Sequence, residues 1–250
     1  MSLIVLGCKL DDIDAESATA RILDLAKSKA AAQVVTLGTE MVVYAQHDAA
    51  FRRIVNAAAL SLCDAIGLLF AAKARGSHLR DRVTGIDLIA RLCSAAEPEA
   101  LGVYLLGGAP GVADDAARVL QRTFPALRIR GTHHGYFQAD DSKAIAAAIN
   151  ASNADLLFVG LGFPRQEFWI AEYLTATGCG IAMGVGGSLD VLSGKVQRAP
   201  EHWRRFGLEW LYRLYREPHR WRRQLALPYF VWLICIDMLR RRLGAGTANA

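Results

Sequence analysis

The chain has 250 residues, 53% hydrophobic and 21% charged, with 22 Gly and 7 Pro, a balance that excludes an intrinsically disordered or low-complexity protein. The length fits one large α/β domain plus an extension. The net charge is only +5, yet residues 198–242 hold eleven Arg, no Lys and four acids, a local +7 that leaves the remainder near −2.

In chain order, short apolar runs alternate with amphipathic stretches, which predicts a sheet flanked by helices. The start, MSLIVLGCKLDD, is too short and lacks the basic flank of a signal peptide. Asp12 and Asp14 resemble an acidic metal-holding pair, but they precede an expected helix over 15–31, where Asp14 serves as a cap. A strand is predicted over 34–37, with Thr36 as its polar member, and a helix over 49–58 capped by Asp48. Asp64 follows LSLC and precedes a predicted helix over 66–75. It reads either as a helix N-cap or as a general base at a strand end. Arg82, Thr84 and Asp87 form a polar turn before a helix over 86–95, where Thr84 and Asp87 suit its first turn.

Strands over 102–106, 127–131, 155–160 and 180–184 come next, interleaved with helices over 111–124, 142–151 and 165–175. Three of the strands run into glycine-rich turns: LLGGAPG, VGLGFPRQE and GVGGSLD, the last containing Gly186. Such turns let a backbone approach a phosphate at the carboxyl edge of a parallel sheet. None is a GxGxxG dinucleotide fingerprint or a GxxxxGK[ST] loop, which counts against an oxidoreductase. Lys195 and Arg198 follow the third turn and suit a diphosphate. Gln166 and Glu167 open a helix after Pro164, where a side chain reaches over the sheet edge. His133 and His134 are adjacent, so on a strand they point to opposite faces and make poor paired ligands. The five Cys are scattered without CxxC or zinc-site spacing, which predicts buried free thiols in a reducing compartment.

The alternation stops near Gln197, which divides a body over 1–197 from an appendage over 198–250. Trp203, Trp210, Tyr212, Tyr215, Trp221, Tyr229, Phe230 and Trp232 run among the appendage arginines. That basic aromatic pattern suits an anionic membrane surface or a polyphosphate. The near-neutral body and the apolar run after Arg223 count against nucleic acid. The run 225–239 is interrupted by Pro228 and Asp237 and is shorter than the roughly twenty residues a bilayer needs, so it is expected to lie against the interface.

Taken together, VVTLGTEMV, CDAIGLLFAAKARG, DRVTGIDL, YLLGGAPGVA, ADLLFVGLGFPRQEFWI, GVGGSLDVLSGKVQRAP and LEWLYRLYREPHRWRR resemble the WecG/TagA/CpsF glycosyltransferase family over nearly the whole chain. The resemblance implies a Rossmann-like body and inverting transfer of a sugar from a nucleotide, usually UDP, to a polyprenyl-diphosphate-linked sugar. It implies a peripheral position on the cytoplasmic membrane face, with an appendage that supplies active-site residues. It puts the catalytic base on Asp64 and an active-site threonine on Thr36. Arg82 and Gln166 match other active-site positions, and Arg213, Arg220 and Arg223 those expected to meet the donor diphosphate. These three are seven, three and ten residues apart and share one helix face approximately, with Pro218 breaking the run between the first two. With fixed guanidinium groups stabilising the leaving diphosphate, no metal cofactor is expected. Glu209 and Glu217 are expected to pair with arginines, and a homo-oligomer is compatible with such an appendage. Two positions depart from the family: Gly38 where Asn is common, and Ala65 where Gly commonly follows the aspartate. They leave room for a rival reading, a non-catalytic membrane-tethered nucleotide-binding scaffold.

Overall fold

The computed structural model describes residues 2–79, 81–216, 221 and 225–246; the side chains of Arg205, Arg213 and residues 241–246 lie outside that description. The chain opens with an antiparallel hairpin of β1 (Ser2–Val5) and β2 (Cys8–Asp11). Its two turn residues, Leu6 and Gly7, both have positive φ, as a two-residue hairpin turn requires. Val5, Cys8 and Leu10 are fully buried. Asp11 accepts a hydrogen bond from the Ser61 amide at 2.8 Å, which ties the hairpin to the main sheet.

That sheet has six parallel strands in the order β4-β3-β8-β7-β5-β6. They are β3 (Ala32–Leu37), β4 (Leu60–Cys63), β5 (Gly102–Gly107), β6 (Arg128–His133), β7 (Leu156–Gly160) and β8 (Ile181–Gly184). Side-chain parity along each strand divides the core. Val34, Val103, Leu105, Leu156, Phe158, Ile181 and Met183 face one layer, with α1 (Ala15–Lys27), α5 (Gly85–Ala96), α6 (Val112–Thr123) and α9 (Ser188–Leu192). On the opposite face, Tyr104, Leu106, Leu157, Val159 and Ala182 meet α7 (Ser142–Ala151) and α8 (Arg165–Thr177). Val35 and Leu37 join the hairpin, α2 (Thr39–Tyr44), α3 (Ala49–Ala57) and α4 (Ile66–Lys73). This is the doubly covered α/β architecture expected of the sequence.

Most expected elements form within a few residues of their predicted ends. The helix expected over 15–31 stops at Lys27, because Lys29 and Ala31 take positive φ and Ala32 joins the sheet through Gly180. Asp14 and Asp48 cap their helices, accepting from the Ser17 and Phe51 amides at 2.8 and 2.9 Å. The strand expected to end at Gly131 continues to His133, where it still pairs with Leu106. His134 lies beyond the strand, so the two imidazoles come together at 4.6 Å between ring centroids instead of facing apart. Cys8, Cys63, Cys93 and Cys179 are buried free thiols; Cys235 is free but exposed.

The appendage forms α10 (Glu201–Arg205), α11 (Glu209–Arg216) and α12 (Ala226–Gly246). Pro228 does not interrupt the last helix, because it occupies the first turn, where its missing N–H has no intrahelical acceptor to satisfy. Phe230 is only 2% exposed and packs into the body beside Gly67 of α4. Burying a ring of that size contributes about 2–3 kcal/mol. About two turns further on, Asp237 pairs with the Arg75 side chain at 2.5 Å. The helix is therefore pinned beside Gly67 in α4 and at Arg75, just past the end of that helix. No helix among the described residues is long and apolar enough to cross a membrane.

Candidate active site

The carboxyl ends of the parallel strands surround a cleft of about 670 Å³. Between β5 and β7 the chain leaves toward opposite faces, since α6 and α8 pack on different layers. Such a switch point opens a crevice at the strand ends. Glycine makes the crevice floor. A Cβ at Gly107, whose φ is +145°, would lie 2.4 Å from the Gly160 carbonyl oxygen. Gly108 donates to that oxygen at 3.2 Å, and Gly135 donates to the Gly108 oxygen at 2.7 Å. Three strand ends thus meet through backbone alone.

Asp64 lines the cleft at the end of β4, its amide bonded to the Leu37 carbonyl at 3.1 Å. It is not the helix cap: Ala65 takes that place, and no side chain caps α4. Thr36 also lines the cleft and donates its hydroxyl to the Gly184 oxygen at 3.1 Å. Gln166, 4% exposed, accepts from the Gly186 amide at 2.9 Å. Thr36 and Gln166 therefore hold the turn after β8 from two sides. Gly186, with φ +52° and nothing within 4 Å of an added Cβ, opens that turn to the cleft.

Arg82 lines the same cleft and is met by the appendage. Both its terminal nitrogens lie 3.4 Å from Glu209 Oε2, and one donates to the Arg204 carbonyl at 3.3 Å. Glu209 also approaches Arg198 at 3.8 Å, and Arg198 pairs with Asp87 at 2.7 Å. Burial raises the Asp87 carboxyl, but the Thr84 hydroxyl at 2.7 Å and the Arg198 guanidinium outweigh it and hold it below the usual range. Glu209 thus pairs with an arginine of the body as well as one of the appendage, whereas Glu217 lies outside the described residues. Lys195 pairs with Asp115 at 3.7 Å, so neither basic residue after the third glycine turn stands alone. Arg213 is on α11, its side chain outside the description; Arg220, Arg223 and Pro218 also lie outside the described residues.

Glu40, Tyr136, Asp190, Trp210 and Leu227 line the cleft as well, and none was expected. Tyr136, on the loop after β6, is 73% exposed and lines the cleft. Its signal was a Gly-Tyr-Phe directly after a strand. Gly38 has nothing within 4 Å of an added Cβ, so there is room for a side chain at this position. Ala65 sits at φ −100° and ψ 140°, an extended conformation in which its methyl imposes no strain. Asp12 accepts from Ser77 and the His78 amide at 2.9 and 3.0 Å, and Asp14 caps α1, so both acids serve local structure. Among the described residues no three His, Cys, Asp or Glu gather as a metal site.

A parallel sheet with a glycine-floored crevice, Asp64 at a strand end and an appendage along the rim is an arrangement that can take a phosphorylated ligand at the strand ends. Residues 3–244 match the Glycosyl transferase WecG/TagA/CpsF family, and the chain belongs to that family. It is a glycosyltransferase. Among its relatives is the N-acetylglucosaminyldiphosphoundecaprenol N-acetyl-beta-D-mannosaminyltransferase of Bacillus spizizenii, 38% identical over 198 residues, 79% of this chain and 76% of the relative. The protein of the same name from Bacillus subtilis is 32% identical over 202 residues, 81% and 78% of the two chains.

Proposed function

We propose that the protein moves a sugar of the N-acetylmannosamine type, or glucose, from UDP to a polyprenyl-diphosphate-linked sugar in bacterial cell-surface polysaccharide or teichoic acid synthesis. The carrying observation is the Asp64 carboxylate at the end of β4, in a cleft whose far wall is the appendage. The relatives' names supply the acceptor and the sugar type. The acceptor hydroxyl attacks the anomeric carbon opposite the diphosphate, and Asp64 takes its proton as the bond forms, inverting the configuration. The diphosphate leaves with both electrons of the broken glycosidic bond. Thr36 and Gln166 set the turn at Gly186 beneath the donor, and Arg82, with Arg213, Arg220 and Arg223 of the appendage, neutralises the departing charge. The guanidinium groups take the role a divalent cation has elsewhere, so a chelator leaves the rate unchanged. Body and appendage, divided at 197/198, act as floor and lid.

The enzyme works from the cytoplasmic face as a peripheral protein. The outward stripe of α12, with Val231, Trp232 and Leu239 more than half exposed, supports an interfacial position beside its arginines. The test is transfer from UDP-N-acetylmannosamine and UDP-glucose to a short-chain lipid diphosphate sugar, with and without anionic vesicles and chelator. Product from one donor, with inverted anomeric configuration, supports the reading. Turnover in neither case, or sharp inhibition by the chelator, rejects it or its metal-free form.

A further inference from the structure

One buried carboxyl has no part in the transfer as proposed. Glu167, in the first turn of α8, is 1% exposed. Its Oε1 accepts from Gln166 Nε2 at 2.7 Å, while Oε2 is buried without a hydrogen-bond partner. Its backbone carbonyl accepts from the Gln33 amide at 3.2 Å. The pair lies directly under the end of β8: a Cβ on Gly184 would sit 2.6 Å from Gln166 Nε2 and 2.9 Å from Glu167 Oε1. Glycine at that position is what admits the two side chains.

A glutamine amide presents a donor at one end and an acceptor at the other, and its orientation follows its partners. With Nε2 engaged by Glu167, Oε1 must face the Gly186 amide, as found at 2.9 Å. We propose that Glu167 is a positioning residue for this enzyme: it fixes the Gln166 amide and, through it, the Gly186 turn beneath the anionic donor. The proposal rests on the reading of the cleft as a nucleotide-sugar site.

The electrostatic surroundings support it. Burial pushes the Glu167 carboxyl up to about 7, the Gln166 hydrogen bond offsets part of this, and Glu40 of α2 adds repulsion. The other neighbours contribute no charge in the described contacts: β3 presents the Gln33 amide, β8 the Gly184 backbone, and α3 the Phe51 ring against Phe168. In the neutral range the group therefore passes between an uncharged acid and a carboxylate. The carboxylate form puts a negative charge below a bound diphosphate, so donor binding and proton binding favour each other.

Calorimetric titration of the full chain with UDP-N-acetylmannosamine between pH 6 and 8.5 tests this, because that diphosphate diester does not itself titrate there. Wild type is expected to weaken about fivefold or more as pH rises through 7. Glu167→Gln keeps the acceptor for Gln166 without the charge, and its affinity should stay flat. Glu167→Leu, folded as judged by its melting temperature, should bind about fivefold to tenfold more weakly at every pH, because the amide loses its partner. A Glu167→Gln profile that follows wild type, or wild-type affinity in Glu167→Leu, overturns the proposal while leaving the donor site intact. Absence of wild-type binding at any pH overturns the donor reading itself and this inference with it.

Discussion

The floor and the wall of the cleft are built from opposite materials. At the strand ends, Gly107, Gly108, Gly135, Gly160 and Gly186 present backbone and almost no side chain. The appendage brings Glu209, Trp210 and Leu227, with arginines and aromatics on the segments around them. Gly108 and Gly135 close the floor with backbone hydrogen bonds between strand ends, and the Gln166 side chain holds the Gly186 amide. Among the described residues the wall is held mainly by side chains: Phe230 in its pocket, Arg75 on Asp237, Glu209 between Arg82 and Arg198, and Arg82 on the Arg204 carbonyl. Backbone close to backbone gives fixed geometry, whereas a wall held by side chains can open at modest cost.

If the floor carries the chemistry, its carboxylate is the most sensitive point. Asp64→Asn is expected to lower turnover on the order of 10²-fold or more, with donor affinity within a few-fold of wild type. Single-turnover rates and calorimetry separate the two; unchanged turnover removes Asp64 from the mechanism. On the wall, Phe230→Ala should cost about 3–5 kcal/mol of the appendage's attachment. Hydrogen exchange should then show α12 opening while the β-sheet amides stay protected. Equal loss of protection in sheet and helix would mean that body and appendage unfold as one unit.

A third test compares the two through pH. Glu167 sits near 4.5 in the unfolded chain and near 7 when folded. Its contribution is therefore complete below about 4.5 and is lost as pH rises through 7, where burial opposes the charge. Glu167→Gln should gain on wild type across that window and level off above it, by about 2–3 kcal/mol. Denaturant melts at pH 5 and pH 8 check the sign. The smallest effect is expected at the seam. A double-mutant cycle of Arg82→Gln and Glu209→Gln should give a stability coupling near 1 kcal/mol, since 3.4 Å is long for an ion pair. A coupling of several kcal/mol would mean that the wall is locked.

Sequence pattern made α1 and α3–α8 legible from the chain, and glycine marked where β5, β7 and β8 end. The β1–β2 hairpin escaped notice because four-residue strands give too little alternation to stand out. The six-residue α2 is likewise shorter than two helical turns. The histidine pair was misjudged by one residue of strand length, which decides whether successive side chains diverge. Asp64 and Thr36 were expected at the site and both line the cleft, but the bond from the Thr36 hydroxyl to Gly184 was not foreseen.

From local order alone came the alternating α/β pattern, the phosphate-friendly turns and the charged tail. Each is written within a dozen neighbouring residues, where spacing and residue type determine conformation. Folding decided which of these meet. Gln166 reaches Gly186, Arg82 reaches Glu209 and Arg75 reaches Asp237, separations of 20, 127 and 162 residues. Such partnerships depend on strand order and helix docking, set by burial of the whole core, and no stretch of neighbouring residues encodes them.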